Sequence, residues 1–291
     1  MAILPAWEAV RLLEASMLVI GDEILGGFVE DTNSGWLARR LADHAVPLTR
    51  IHTVPDTSPA IAEALHTELA RSRPRIVFTS GGIGSTPDDL TYEAVAAALD
   101  RELVEHPVLV ERINGALDWT REQGVEVTDE FAWHMLRMAR VPEGADLLHH
   151  GSWAPGLRLD LDGGSDDEGG ATLVILPGVP PQFRSIVRDA VEPDLLEARN
   201  EPLATVEITH SFPESALNLC FVRVLDEHPD VHLGSYPGVP MMVRLRGRPD
   251  DVEEAAAKVR RYITDLESDP GGARLAAAWA DRLGGAEKER R

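Results

Sequence analysis

The stretch Ser80-Gly81-Gly82-Ile83-Gly84-Ser85-Thr86 packs three glycines and three hydroxyls into seven residues, and the adjacent carboxylates Asp88 and Asp89 follow Pro87. Glycine lets a backbone approach an anion closely, and free N–H groups at a helix start point toward one. The stretch therefore reads as a phosphate cradle. Two carboxylates beside it would repel a bare phosphate. They make sense if a hard cation such as Mg²⁺, which prefers oxygen ligands, sits between them and the phosphate. The same residues also fit an ordinary strand–turn–helix in which Asp88 and Asp89 complement the helix dipole. On this stretch alone both readings stand.

The neighbouring elements shift the balance. Arg75 to Thr79 is a short apolar, β-branched run of the kind that forms a buried parallel strand, and Asp88 to Glu93 is expected to open a helix carrying Val95, Ala96 and Leu99. Upstream, Ser16 to Ile20 has the same buried-strand pattern and runs into Gly21-Asp22-Glu23-Ile24-Leu25-Gly26-Gly27. Asp31-Thr32-Asn33-Ser34 then supplies caps for a helix with Trp36, Leu37 and Leu41. A second strand, Pro47 to Val54, ends in Pro55-Asp56, and Ser58-Pro59 starts a helix over 59–72. Strand and helix alternate three times, which predicts an α/β fold with a mostly parallel sheet and helices on both faces. Ligands of such sheets bind beyond the carboxyl ends of the strands. Asp22, Asp56 and the Gly81–Asp89 segment all fall there, which favours a shared acidic pocket.

Helices are expected over 106–123 and 129–140, and Phe131, Trp133, Met135, Leu136 and Met138 of the second read as core. His149-His150 would point to opposite faces of a strand, so they do not read as a metal pair. Leu157–Leu161 and Ala171–Leu176 read as a hairpin around an acidic, glycine-rich turn that lacks the ligand order of an EF-hand loop. Pro177 and Gly178 then make a rigid wall and launch a helix to about Leu196.

Glu201-Pro202 marks a boundary, followed by strand 203–210, helix 213–227, strands 231–235 and 241–247, and helix 250–267, a compact α+β unit. Within it Gly234, Ser235 and Tyr236 read either as part of a bulged hairpin or as a turn leaning over the main pocket. The chain thus divides into an extension over 1–15, a main domain over 16–200, a small unit over 201–267 and a loose helix or frayed tail over 268–291.

Composition narrows the classes. The 291 residues carry a net charge of −21, with Lys258 and Lys288 as the lysines among mostly arginine cations. That balance opposes nucleic-acid backbones and anionic membrane surfaces, both of which need clustered positive charge. Cys220 is the single cysteine, so no internal disulfide forms and no thiolate zinc cluster can be built; its apolar surroundings mark it as core. The N-terminal sequence has neither a signal-peptide pattern nor a membrane-spanning run, so a cytoplasmic location is expected.

Taken together, Gly21–Leu25 with Asp31-Thr32-Asn33, Val54-Pro55-Asp56, Gly81–Thr91 and Leu176–Pro180 resemble the MoaB/Mog-like molybdopterin-binding domain. They resemble most closely the amino-terminal part of the competence-damage-inducible protein A (CinA) family, over about residues 16–267, with the small unit similar to that family's KH-like part. The resemblance implies catalytic roles for Asp56 and Asp89. On the metal-assisted reading of the cradle, Asp22, Asp88 and Asp89 are expected to bind the cation, and Asn33, Ser80, Gly81, Gly82, Gly84, Ser85, Thr86, Pro177, Gly178, Gly234, Ser235 and Tyr236 to contact the ligand. Asp88 stands where Mog-like relatives often carry a basic residue, which weighs against adenylation of molybdopterin. The CinA branch implies divalent-metal-dependent hydrolysis of a pyrophosphate bond, as in ADP-ribose or FAD. The alternatives are a non-catalytic pterin or nucleotide binder, or a molybdenum cofactor biosynthesis enzyme. The resemblance does not extend to the nicotinamide-nucleotide deamidase domain that often follows in that family, so deamidation is not expected. The KH-like unit lacks a basic Gly-x-x-Gly loop, which argues against RNA. Relatives of this fold are commonly oligomers, so self-association is expected by analogy.

Overall fold

The computed structural model describes residues 13–148, 153, 155–161, 170–197, 203–238 and 240–289, with side chains of the last helix described to 282. The expected extension over 1–15, the His149-His150 pair and the acidic turn after Leu161 fall wholly or largely outside these residues. Two units are distinguished, Met1–Asn200 and Glu201–Arg291.

The first unit begins with β1 (Glu14–Ile20), the four-residue α1 (Asp22–Leu25), α2 (Asn33–Asp43), β2 (Leu48–Val54), α3 (Ser58–Leu69), β3 (Arg75–Ser80) and α4 (Thr91–Ala98). It continues through β4 (Leu103–Glu105), α5 (Pro107–Glu122), α6 (Asp129–Arg137), β5 (Arg140–Pro142) and β6 (Asp146–Leu148). It closes with β7 (Gly156–Leu161), β8 (Ala171–Leu176) and α7 (Pro180–Ile186), the last continued by a π-helical segment, Val187–Leu196. Six strands form one sheet in the order β2-β1-β3-β8-β7-β6. The first four are mutually parallel, and β7 and β6 extend the edge antiparallel. This is the predicted mostly parallel α/β sheet.

Side-chain alternation explains why both faces are covered. Met17, Val19, Ile76, Phe78, Val174 and Leu176 point to one face, where Leu37 and Leu41 of α2 and Phe183 and Ile186 of α7 meet them. Leu18, Val77, Leu173 and Ile175 point to the other and pack on Leu65 of α3, Val95 of α4 and Ile113 of α5. Strands buried on both sides need unbroken apolar runs, which is why β1, β3 and β8 were readable. β4, β5 and β6 are three-residue strands that such runs do not announce.

The second unit contains β9 (Ala204–His210), a 3-10 turn over Glu214–Leu217, α8 (Asn218–Glu227), β10 (His232–Tyr236), β11 (Met241–Gly247), α9 (Pro249–Ser268) and α10 (Pro270–Glu289). Its antiparallel sheet runs β10-β11-β9. Met241, Val243 and Leu245 alternate inward, and Val252, Ala255, Ala256, Val259 and Ile263 give α9 a buried stripe at helical spacing. Cys220 lies in this core, as expected. One expectation needs correction. Gly234, Ser235 and Tyr236 are not a turn but sit inside β10, regularly paired with Arg244, Val243 and Met242. The segment after 268 takes the helical one of its two expected forms, with Ala276 of α10 packed on the unit's core. No helix among the described residues is long and apolar enough to cross a membrane.

Candidate functional site

The carboxyl ends of the four parallel strands are tied into one rim. After β1, the N–H of Gly21 donates to the Val54 carbonyl at the end of β2 (3.1 Å). Just beyond, the Asp22 N–H donates to Asp56 Oδ2 at 2.7 Å. After β3, the N–H of Gly81 donates to the Leu176 carbonyl at the end of β8 (3.1 Å). Asn33, at the start of α2, spans the gap: its Nδ2 donates to Ser80 Oγ (3.1 Å) and to the Gly178 carbonyl (2.8 Å). Asp31 holds that helix start, its Oδ1 accepting from the N–H groups of Asn33 and Ser34 at 3.0 Å each.

Gly81 and Gly82 cannot be replaced without strain. Their φ values are +106° and +66°, a region that side chains with a Cβ rarely adopt. A Cβ on Gly81 would lie 2.3 Å from the Ile20 carbonyl oxygen, and one on Gly82 would lie 2.3 Å from Thr91 Oγ1. Buried Thr91 locks the loop, its N–H donating to the Gly82 carbonyl and its hydroxyl to the Gly81 carbonyl, both at 2.9 Å.

That lock corrects the expected helix start. α4 begins at Thr91, so Asp88 and Asp89 precede it in the loop. Asp89 Oδ2 accepts from the Thr86 N–H (2.9 Å) and the Thr86 hydroxyl (2.5 Å), and it occupies the space a side chain on Gly84 would need. Arg137 of α6 donates to the Asp89 carbonyl (3.1 Å) and pairs with Glu93 (3.0 Å), clamping the loop from outside.

These loops enclose a cleft of about 640 Å³. Of the residues expected at the site, Asn33, Asp56, Asp88, Asp89, Pro177 and Gly178 line it. So do Ser80, Gly81, Gly82, Gly84 and Ser85. Asp22 reaches it only through its N–H on Asp56, and Thr86 faces an adjoining hollow. Gly234, Ser235 and Tyr236 belong to the second unit. The sequence reading passed over Glu23, Glu30 and Asp31 as site residues. It also assigned Met135 and Met138 to the core; both pack partly on it, yet both line the cleft, and no residue of α6 is fully buried. The apolar run gave no signal of which side would face a ligand.

Charge is the cleft's most unusual property. Glu23, Glu30, Asp31, Asp56, Asp88 and Asp89 line it, and no arginine or lysine does so among the described residues. Burial, then the charges of Glu23, Asp22 and Asp88, push the Asp56 carboxyl above its ordinary range, against a lowering pull from the Asp22 N–H. Asp88 moves the other way. Hydrogen bonding from the Thr86 hydroxyl, which Asp88 shares with Asp89, and from its own backbone N–H holds it below that range. The two carboxyls are thus pushed in opposite directions.

The expected metal set, Asp22, Asp88 and Asp89, is not gathered into a cage. Among the described residues no three His, Cys, Asp or Glu side chains stand close enough together to hold an ion. Mg²⁺ does not need such a cage, because it commonly takes one or two carboxylates and completes its shell with phosphate oxygens and water. Asp88 and Asp89 fit that mode.

Residues 16–197 match a family described as a probable molybdopterin binding domain. A protein of Aeropyrum pernix is 33% identical over 273 residues, covering 87% of this chain and 94% of its own length. A CinA-like protein of Myxococcus xanthus is 34% identical over 234 residues, covering 76% of this chain but 51% of that longer protein. Among solved structures, the protein CinA of unknown function from Thermoplasma acidophilum aligns with a TM-score of 0.51 at 27% identity, over 62% of this chain and 97% of that one.

Proposed function

This chain belongs to the molybdopterin-binding, MoaB/Mog-like family, in its CinA-related part, and from that premise we propose that its cleft binds a phosphorylated nucleotide or pterin and hydrolyses a pyrophosphate bond. One observation carries the reading: a loop whose backbone only glycine adopts without strain and six carboxylates meet in one cleft whose described lining has no basic side chain. A phosphorylated ligand there has backbone N–H groups to receive it, but no side-chain cation to offset its charge. A divalent cation bound with the ligand would supply that offset and would neutralise charge on the phosphoryl oxygens.

The chain's own residues then divide the work. The backbone N–H groups from Gly82 to Ser85 receive the diphosphate, that of Gly81 being held by the Leu176 carbonyl. Asp88, held ionised, and Asp89, fixed by Thr86, would hold the cation. Asp56, its pKa raised above the ordinary carboxylate value by burial, accepts a proton from the water that attacks phosphorus as the bridging P–O bond breaks. Met135, Met138 and Val179 offer an apolar wall to the ligand's ring.

The test is incubation of the pure protein with ADP-ribose or FAD and Mg²⁺ or Mn²⁺, scoring monophosphate products. Asp89→Asn should lower the rate by about a hundredfold or more while the melting temperature stays within a few degrees, as its bonds to Thr86 are exposed. Full activity in that variant removes Asp89 from the chemistry. That the described residues gather no three ligating side chains keeps a second reading in view, a carrier or sensor that binds without turnover. Tight binding with no product selects it.

A further inference from the structure

Helix α6 is held in place with none of its residues fully buried. Its start is capped by Thr128, whose hydroxyl oxygen accepts from the Phe131 N–H at 3.1 Å, and its end is fixed by Arg137 on the Asp89 carbonyl. Yet Phe131 is 45% exposed and Trp133 58% exposed. Phe131, His134 and Met135 form one side of a hollow of about 390 Å³, and Ser85, Thr86 and Pro87 of the glycine loop form the other. Ser85 and Met135 also line the main cleft, so the two spaces adjoin across the loop read above as the diphosphate cradle. Both volumes fall in the range of small-molecule sites.

We propose that this hollow is a second ring-binding subsite, and that the chain's ligand is two-ended, with an aromatic or heterocyclic group on each side of a central diphosphate. The inference rests on the phosphate reading of the cleft and adds to it which class of phosphate ester is preferred. One ring lies against Met138 and Val179 in the cleft, and the other stacks on Phe131, with Thr128 and Glu130 at the rim to accept hydrogen bonds from exocyclic amines. An exposed aromatic on a rigidly seated helix loses little freedom when it takes a stacking partner, which is why Phe131 can stand open in the free protein.

The test is calorimetry in Mg²⁺ with two non-hydrolysable probes: methylene-bridged ADP, which has one base, and methylene-bridged diadenosine diphosphate, which has two. The wild-type protein should bind the two-base probe at least about fivefold more tightly, the low end of what one base–aromatic stack contributes. Phe131→Ala should erase that advantage while leaving the one-base affinity within about twofold, and Phe131→Tyr should restore it. Equal affinities in the wild-type protein, or a Phe131→Ala loss shared by both probes, overturn the subsite while the cleft reading survives. If neither probe binds, the cleft reading fails and the subsite with it.

Discussion

Replacing Gly82 with alanine separates two costs that the structure places at one atom pair. The left-handed backbone at φ +66° costs a residue bearing a Cβ about 1–2 kcal/mol. The new Cβ would also lie 2.3 Å from Thr91 Oγ1, so the hydroxyl must leave its 2.9 Å hydrogen bond to the buried Gly81 carbonyl. Leaving that acceptor unpaired costs about 1–3 kcal/mol. Gly82→Ala should therefore destabilise by about 2–5 kcal/mol, and Thr91→Ala by about 1–3 kcal/mol through the same lost bond. In the double variant the bond is lost only once and the collision is gone. Its destabilisation should fall short of the sum of the single variants by about 1–3 kcal/mol, well outside the ~0.5 kcal/mol scatter of independent sites. Urea denaturation of all four proteins measures this. Additive losses would refute the reasoning, because the side chain of Thr91 would then not be what fixes the loop.

The acidic site and the first unit's buried ion pairs make two more predictions. Asp56→Asn keeps an acceptor for the Asp22 N–H and removes a charge that burial and its neighbours disfavour. A carboxyl whose folded pKa is raised stabilises the fold fully only below its unfolded value and loses that contribution as pH rises through the folded one. The Asn variant should therefore be as stable as or more stable than wild type at pH 7, with the gain disappearing as pH falls below about 4. A lower melting temperature at pH 7 would contradict this. At the start of β3, Arg75 is fully buried and pairs with Glu14 at 2.6 Å and Glu68 at 3.5 Å. Arg75→Met leaves buried Glu68 short of a partner and should lose about 3–5 kcal/mol in urea denaturation, and a neutral result would show that His52 and Arg71 suffice.

The sheet was legible because its central strands are apolar on both faces: Ser16–Ile20, Arg75–Thr79 and Ala171–Leu176 leave little choice of element. The meeting of Asp56, Asp89 and the glycine loop followed from strand order, since parallel strands put their carboxyl ends on one edge. The start of α4 was misplaced because a hydroxyl–carbonyl bond across ten residues, Thr91 to Gly81, decides it, and local spacing carries no trace of such a bond. Gly234–Tyr236 looked like a turn from composition, yet pairing with β11 holds them extended. Methionines and aromatics on α6 read as core because composition cannot distinguish a residue that covers a core from one that also walls a cleft.

The most direct test of the central claim is a crystal structure of the protein with methylene-bridged ADP and Mg²⁺. The account predicts phosphoryl density within hydrogen-bond distance of backbone N–H groups from Gly82 to Ser85, with Asp56 and Asp88 facing it. A nucleotide bound elsewhere, or one lying in the cleft with its phosphates turned away from that loop, would contradict it.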